Sequence, residues 1–246
     1  MEGRQAVREL LRANRRRVHQ VYVADVGGRP DSLTEIAELA HQGGVPVRRV
    51  NREQLEQMAA TASPQGVVAR ADPVAEWSLD RLARASLGGP APFLVVLDGV
   101  TDPQNLGAVM RSAIGAGATG LVVGRHRSAH LTPAAVKAAA GAVEHLPVSV
   151  VAGIPAALQV LKKAGVWSIG LDAGASASLW GLPVAREPVA LVLGAEGRGL
   201  SSLGRQRCDL VVSVPLLGPL DSLNVSAAAA LACFEVARRR ADDQRA

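Results

Sequence analysis

Short, nearly continuous apolar segments that alternate with helical ones constrain the fold of this chain more than any other feature. These segments begin at Phe93, Leu121, Pro147, Val166, Pro188 and Leu210. A strand that is apolar on both faces is typical of a parallel sheet with helices on both sides, because both of its faces are then buried. From residue 93 onward the sequence therefore predicts an α/β fold with a mainly parallel sheet and helices on both faces.

The residues before this region predict a smaller domain and a linker. Strands expected from Val18 and Gly66 alternate with helices over residues 1–71, which is typical of a small α/β domain. Residues 72–92 contain Pro, Gly, Ser and scattered charges with only a weak apolar pattern, so we expect a linker there. The parallel-sheet domain then covers residues 93–246.

The composition limits the setting and the partners of the protein. Lysine and arginine outnumber aspartate and glutamate by 27 to 22. Such an excess of positive charge suits a phosphate-rich partner, but a genomic preference for arginine explains it equally well. Aromatic residues make up 2% of the chain, so any bound RNA is not expected to be held mainly by stacked bases. Cys208 and Cys233 lack metal-site spacing, and no uncharged stretch is long enough to span a membrane. We expect a cytoplasmic protein without a metal or a membrane partner.

The first seventeen residues contain a cluster of arginines. Its members are Arg4, Arg8, Arg12, Arg15, Arg16 and Arg17. The first three recur every four residues and so share one face of a predicted helix. An arginine stripe of this kind suits the phosphates of RNA. A helix face that is merely solvated is the equally weighted alternative.

The sequence GAGATG, from Gly115 to Gly120, matches the GxGxxG pattern of dinucleotide-binding proteins. That pattern binds pyrophosphate where it follows a strand and opens a helix. Here the glycines end a predicted helix and lead into the strand at Leu121, as a C-terminal cap does. We therefore reject dinucleotide binding.

The helix after the first buried strand carries one charge, that of Arg111. Asn105 stands where the helix N-cap is expected, and the helix is predicted over Leu106–Ala116. A helix this apolar is expected to be buried on most sides, and a buried guanidinium without a partner is costly. Arg111 is therefore expected to meet an anion, either from the protein or from a ligand.

Two further segments follow other predicted strands. Glycines surround Glu196 at the end of one strand, at positions 194, 197 and 199, and such glycines let the backbone approach a ligand closely. The carboxyl ends of parallel strands are where open α/β sheets bind ligands. The last helix is preceded by more polar residues than one cap needs, namely Ser222, Asn224 and Ser226.

In this order the three segments resemble the signature motifs of the SpoU (TrmH) family of SPOUT RNA methyltransferases. The residues that match the three motifs are Asn105, Gly107 and Arg111, then Gly194, Glu196 and Gly199, and then SLNVS at Ser222–Ser226. The first seventy residues are similar to the L30e-like substrate-binding domain of the RlmB-type subfamily. Gly3–Leu10 carries the opening pattern of that domain, while Pro64 replaces its usual histidine.

This resemblance implies a SPOUT-type sheet with a trefoil knot, and a homodimer with the site beside its interface. It implies S-adenosylmethionine as the methyl donor, bound in the knot largely by backbone groups at Leu193, Gly194, Val214, Leu216 and Leu223. The residues implied at the acceptor are Asn105, Arg111, Glu196, Ser222 and Asn224. Arg111 would lie near the target phosphate and hydroxyl, with Asn105 and Glu196 holding it in place. No metal is implied.

The implied function is 2′-O-methylation of RNA, with a guanosine of 23S rRNA as the expected target. Transfer RNA is one alternative substrate, and an adenosine of 23S rRNA whose methylation gives antibiotic resistance is another. A protein that binds RNA without catalysis is the alternative of a different class. The intact Arg111, Glu196 and SLNVS segment argue against it, because a binding protein needs neither a donor pocket nor an acceptor arginine.

Overall fold

The computed structural model describes residues 1–25, 31–84, 89–126 and 128–242. The chain forms two compact units, which consist of residues 1–74 with 131–145, and of residues 75–130 with 146–246. The first unit therefore includes a segment from the middle of the chain. The expected boundaries at residues 71 and 92 stay predictions.

The helices and strands follow the predicted order. The helices are α1 (Arg4–Ala13), α2 (Asp31–Gln42), α3 (Arg52–Met58), α4 (Leu79–Leu82), α5 (Pro103–Gly115), α6 (Pro133–Ala138), α7 (Ile154–Lys163), α8 (Ser202–Arg207) and α9 (Val225–Ala241). The strands are β1 (Val18–Ala24), β2 (Val47–Val50), β3 (Val67–Ala71), β4 (Phe93–Asp98), β5 (Gly120–Gly124), β6 (Val148–Val151), β7 (Trp167–Leu171), β8 (Ala177–Ser178), β9 (Val189–Gly194) and β10 (Leu210–Ser213). A 3-10 turn covers Ala142–Glu144.

The first unit contains a three-stranded sheet in the order β2-β1-β3, with β2 parallel and β3 antiparallel to β1. One face of this sheet packs against the buried faces of α1 and α2, and Val21 and Val67 lie in that core. The other face carries a smaller cluster, in which Leu55 of α3 packs on Tyr22. The segment 131–145 joins this unit through a buried ion pair of 2.6 Å between Arg16 and Glu144.

The second unit contains a seven-stranded sheet in the order β6-β5-β4-β9-β7-β10-β8, in which every pair of neighbours is parallel. Leu94 and Val96 of β4 face a core that includes Leu158 and Leu161 of α7. The helices α5 and α9 pack against each other, and α9 packs against β9. The predicted mainly parallel α/β sheet is confirmed, and the trefoil knot stays a prediction.

Part of the expected linker belongs to the core of the second unit. Leu82 of α4 is buried there, and the backbone N–H of Trp77 donates to the carbonyl of Val148. Residues 85–88 of the expected linker lie outside the described residues. Burial of Leu82 accounts for the weak apolar pattern that the sequence shows within this segment.

The glycines that resemble a dinucleotide fingerprint form a turn after a helix, as predicted. Gly115 ends α5, Gly117 has a φ of 81°, and Gly120 begins β5. Two further observations concern the described residues as a whole. None of their helices has the length and the apolar character needed to cross a membrane, and they contain no group of three or more His, Cys, Asp or Glu arranged to hold a metal ion.

Candidate active site

The helix α5 begins three residues earlier than the sequence predicts. Its N-cap is Asp102, whose side chain accepts a hydrogen bond of 3.0 Å from the backbone N–H of Gln104, and Pro103 occupies the first turn. The prediction that Asn105 is the N-cap is therefore wrong. Because Asp102 serves as the cap, Asn105 lies inside the first turn of the helix, where it is 7% exposed and its side chain is free to make other bonds.

Asn105 connects the first of the three sequence segments to the other two. Its side-chain nitrogen donates a hydrogen bond of 3.1 Å to Oε1 of Glu196. Its side-chain oxygen accepts a hydrogen bond of 3.1 Å from Nδ2 of Asn224. Asn224 also donates to Oε1 of Glu196. One residue from each segment thus joins a single hydrogen-bonded triangle at the carboxyl end of the parallel sheet.

Asn224 has a second role as the N-cap of α9. Its Oδ1 accepts hydrogen bonds of 2.8 Å from the backbone N–H of Ser226 and of 2.6 Å from the Ser226 hydroxyl. The oxygen of Asn224 thus fixes the start of the helix while its nitrogen reaches Asn105 and Glu196. An amide accepts on its oxygen and donates from its separate nitrogen, whereas an aspartate N-cap only accepts.

A cavity of about 320 Å³ lies beside this triangle. The residues implied as donor-binding all line it: Leu193, Gly194, Val214, Leu216 and Leu223. Glu196 and Ser222 from the implied acceptor set line it as well. Leucine and valine side chains provide an apolar wall, and the exposed loop that contains Glu196 provides polar groups at the same cavity.

The glycine loop folds back tightly on the end of β9. Backbone hydrogen bonds connect Ala195 and Gly199 in both directions, and Gly197 and Gly199 have φ values of 72° and 66°. A Cβ atom at Gly194 would lie 2.0 Å from the backbone carbon of Gly199. Gly194 is therefore required by the close approach of two backbone segments.

Asp172 is a residue of this cavity that the sequence analysis missed. It follows β7 directly and lines the cavity. A hydrogen bond of 2.8 Å from the Arg205 guanidinium, and a second from the backbone N–H of Gly174, lower the pKa of Asp172 below its usual value. Its position at the carboxyl end of a buried strand is the signal that could have identified it.

In a single chain, Arg111 lies away from the hydrogen-bonded triangle. It is six residues from Asn105, which places it about 9 Å along the helix and about 120° around its axis. The side chain is exposed, and it has neither a hydrogen bond nor an ion pair with any described residue. The helix is buried on most sides, as expected, but Arg111 lies on its exposed side. No carboxylate of the described residues bonds Arg111. The anion expected beside Arg111 stays a prediction.

The arginines of the first seventeen residues are largely occupied by partners within the first unit. Arg8 and Arg12 approach Glu35, and Arg16 pairs with the buried Glu144. Arg4 donates to the backbone oxygen of Gln65, and Arg15 to that of His145. Arg17 is exposed, and its side chain has no partner among the described residues. Their contact with RNA stays a prediction.

Family models match both parts of the chain. The SpoU rRNA Methylase family model matches residues 92–234, and the model for RNA 2'-O ribose methyltransferase substrate binding matches residues 1–77. The curated relatives include the 23S rRNA (guanosine-2'-O-)-methyltransferase RlmB of Xanthomonas campestris, 41% identical over 88% of this chain and 87% of its own. An uncharacterized tRNA/rRNA methyltransferase of Synechocystis is 40% identical over 84% of this chain, which spans only 54% of that relative.

Solved structures share the fold over nearly the whole chain. The crystal structure of an RNA 2'-O ribose methyltransferase has a TM-score of 0.79 and 28% identity, and the match covers 98% of this chain and 88% of that one. The SpoU methyltransferase AviRb of Streptomyces viridochromogenes, in complex with the cofactor AdoMet, has a TM-score of 0.78 over 98% of this chain and 89% of its own. At 24% identity, this second likeness shows the common fold alone.

Proposed function

The chain belongs to the SpoU rRNA methylase family, and we propose that it transfers a methyl group from S-adenosylmethionine to a ribose 2′-hydroxyl of RNA. The observation that carries this proposal is the meeting of the three sequence segments in the triangle of Asn105, Glu196 and Asn224 beside a cavity. A protein that only binds RNA has no need of such an arrangement. Catalysis by this family needs a donor pocket and an acceptor site next to each other.

The residues of the cavity fit a donor that has a nucleoside and an amino acid part. Leu193, Val214 and Leu223 offer apolar surface to a purine ring. The backbone N–H and C=O groups of the loop that begins at Gly194 lie at the cavity, and such groups suit the polar edges of a nucleoside. The volume of about 320 Å³ lies at the lower end of the range for small-molecule sites.

The reaction forms a bond between the ribose 2′-oxygen and the methyl carbon and breaks the bond between that carbon and the donor sulfur, which keeps the electron pair. The hydroxyl proton must leave, and a ribose hydroxyl is a weak nucleophile near neutral pH, so its position and local charge decide the rate. In our proposal the exposed guanidinium of Arg111 binds the phosphate next to the target ribose and favours loss of the proton. Asn105 and Asn224 hold Glu196, and with it the loop that separates the donor cavity from the acceptor.

We place the substrate in 23S rRNA, with a guanosine as the target. Two observations support this choice: the match of residues 1–77 to a substrate-binding model, and similarity to RlmB over 88% of the chain. Transfer RNA and an adenosine of 23S rRNA are the other acceptors to be tested. Work on such RNA would place the protein in the cytoplasm.

The test is methyl transfer from labelled donor to undermodified 23S rRNA and to total tRNA, with primer-extension mapping of the product. A single 2′-O-methylated guanosine in 23S rRNA is the expected result. Label found only in tRNA would overturn the substrate and keep the chemistry. Absence of transfer to both RNAs, in a protein that binds the donor, would favour an RNA-binding protein without activity.

A homodimer is the second part of the proposal, supported by an apolar patch on the second unit. The patch consists of Trp180, Leu231 and Phe234, which are 48%, 38% and 52% exposed. These side chains line a shallow groove of about 660 Å³ along α9. Exposed aromatic surface of this kind is typical of protein interfaces. Phe234→Arg should give a monomer in analytical ultracentrifugation, whereas Leu203→Arg, at an exposed leucine outside the patch, should not. A dimer that survives Phe234→Arg would place the interface elsewhere.

A further inference from the structure

We propose that the first unit holds the RNA substrate on the open end of its three-stranded sheet, through Arg48 and Arg70. This inference rests on the proposed function, because the RNA it concerns is the same substrate. It differs from the sequence-based expectation, which places the phosphate contacts on the arginines of α1 and the residues directly after it.

The register of the sheet puts the two arginines on one face. Arg48 of β2 pairs with Tyr22 of β1, and Arg70 of β3 pairs with Gln20 of β1. Side chains of directly opposed residues and of residues two apart along a strand share a face. Arg48 and Arg70 therefore flank Gln20 and Tyr22 from opposite sides. Strand spacing places their Cα atoms about 12 Å apart.

Among the residues that the structure describes, those of the rest of the unit cover only one end of this face. Leu55 of α3 packs on a cluster that contains Tyr22, Ala24, Val50 and Val68. Toward Gln20 the cover ends, and both Arg48 and Arg70 are exposed. The Tyr22 hydroxyl donates a hydrogen bond of 2.9 Å to Oε1 of Gln20, which fixes the polar floor between the two arginines.

Neither arginine is bound to another part of the protein. Arg48 and Arg70 have no hydrogen bond or ion pair from their side chains to any described residue. This distinguishes them from Arg12 and Arg16, whose guanidinium groups bond Glu35 and Glu144. An unpaired guanidinium keeps its full charge and all of its donors for phosphate oxygens, and it loses no internal ion pair when RNA binds.

The same two side chains suit RNA more than an acidic protein. Arginine both binds phosphate with two parallel hydrogen bonds and stacks on exposed bases, which single-stranded RNA presents. Tyr22 is the one aromatic residue in the sequence of the first unit, and it is only 7% exposed. Stacking on this unit therefore depends on arginine and histidine rather than on Phe, Tyr or Trp.

The experiment compares two double variants that remove the same charge. Arg48→Gln/Arg70→Gln changes the proposed surface. Arg49→Gln/Arg52→Gln is the control, because Arg49 pairs with Val23 on the opposite face and Arg52 is engaged with Glu56 on α3. The probe is a fluorescent fragment of 23S rRNA that the wild-type protein methylates, and its affinity is measured by anisotropy at several salt concentrations.

The Arg48→Gln/Arg70→Gln variant should bind this fragment roughly tenfold more weakly than the wild type. The slope of log affinity against log salt concentration should become less steep by about 1.4 to 1.8, because two phosphate contacts are lost. The control should match the wild type in both, and donor affinity should be the same in all three proteins. Equal affinity of the surface variant and the wild type, or an equal loss in both variants, would overturn the proposal. Failure of the wild type to methylate any RNA would instead overturn the proposed function.

Discussion

The side-chain nitrogen of Asn105 donates a hydrogen bond of 3.1 Å to Glu196 while its oxygen accepts one of 3.1 Å from Asn224. Glu196 is 91 residues further along the chain and Asn224 is 119. The amide of Asn105 can do both, because it carries a donor nitrogen and a separate acceptor oxygen. Asn105 therefore acts as a positioning residue that keeps the glycine loop and the start of α9 together.

Replacement of Asn105 by alanine should reduce methyl transfer far more than it reduces stability. Two hydrogen bonds are lost, and Glu196 then keeps only its bond from Asn224 beside the donor cavity. Loss of a buried hydrogen-bonded group costs about 1–3 kcal/mol, and misplacement of a catalytic site by about 1 Å costs on the order of 100-fold in rate. Single-turnover transfer and thermal unfolding measure the two effects.

The matched control is Asn51→Ala, which removes the capping box of α3 in the first unit. It should cost about 1 kcal/mol of stability and leave the transfer rate at the wild-type value. Asn105→Asp should be worse than Asn105→Ala, because it places a second carboxylate against Glu196. Wild-type transfer by a folded Asn105→Ala protein would refute the positioning role.

Gly194→Ala should weaken donor binding by opening the glycine loop. The added Cβ would lie 2.0 Å from the backbone of Gly199, and no rotation of a side chain relieves a backbone contact. Because the loop lines the donor cavity, we expect donor affinity to fall at least about tenfold, which is about 1.4 kcal/mol. Calorimetric titration with the donor measures this change.

A glycine outside the site serves as the control for Gly194→Ala. Gly165 has a φ of 77°, but a Cβ there would meet no atom within 4 Å. Gly165→Ala should therefore cost about 1–2 kcal/mol of stability through backbone strain alone and should keep donor affinity. If both variants bound the donor equally well, the close approach at Gly194 would have no part in the pocket.

Most of the fold could be predicted because most strands of the large sheet are apolar on both faces. The strand β9, for example, is buried from Val189 to Leu193, and its predicted extent agrees with the structure within one residue. The strand β8 was missed, since its two residues are exposed and carry no apolar pattern. The apolar pattern predicts a helix over Pro133–Ala142, but α6 ends at Ala138, because Ala140 and Gly141 adopt positive φ values of 48° and 91°.

The sequence predicted which residues belong to the candidate site, but not which hydrogen bonds they make. Motif resemblance pointed to Asn105, Glu196 and Asn224, and the structure brings these three together. Sequence spacing could not show that Asn105 bonds Glu196 directly, because contact between residues 91 positions apart depends on how the loops meet. Nor could it show that Arg111 lies on an exposed helix face. Apolar composition alone does not distinguish a helix with one solvated side from a fully buried one.

Arg111→Ala should abolish transfer while stability and donor affinity stay unchanged. Arg111 is exposed and has no partner among the described residues, so its loss should alter the free energy of unfolding by less than about 0.5 kcal/mol. Loss of assistance to proton removal should lower the rate by about 10²–10⁴-fold. Lys163→Ala removes another exposed cation of the second unit and should leave the rate unchanged. Loss of donor binding in a folded Arg111→Ala protein would contradict an acceptor role.

Glu235 provides a pH-dependent part of the stability of the second unit. Its carboxylate is 4% exposed and accepts hydrogen bonds of 2.9 Å from both Nε and Nη2 of Arg238, and one of 3.0 Å from the backbone N–H of Gly181. The hydrogen bonds from Arg238, and then the one from Gly181, lower the pKa of Glu235 below its usual value although burial opposes this. The carboxylate therefore binds its proton more weakly in the folded state than in the unfolded state.

The sign of the pH dependence follows from that shift. Glu235 makes its full contribution to the free energy of unfolding above about pH 4.3, the pKa of a glutamate in an unfolded chain. That contribution is lost as the pH falls through the lower pKa that Glu235 has in the folded state. Glu235→Gln should thus lower the free energy of unfolding by about 1–3 kcal/mol at pH 7, and the difference from the wild type should shrink below about pH 4. Urea unfolding followed by tryptophan fluorescence measures this unit, since Trp77, Trp167 and Trp180 all belong to it. The control is Glu187→Gln, at an exposed carboxylate of the same unit, whose free energy of unfolding should differ from the wild type by the same small amount at every pH. If the loss of stability in Glu235→Gln instead stayed constant down to pH 3, the variant would have lost packing rather than charge.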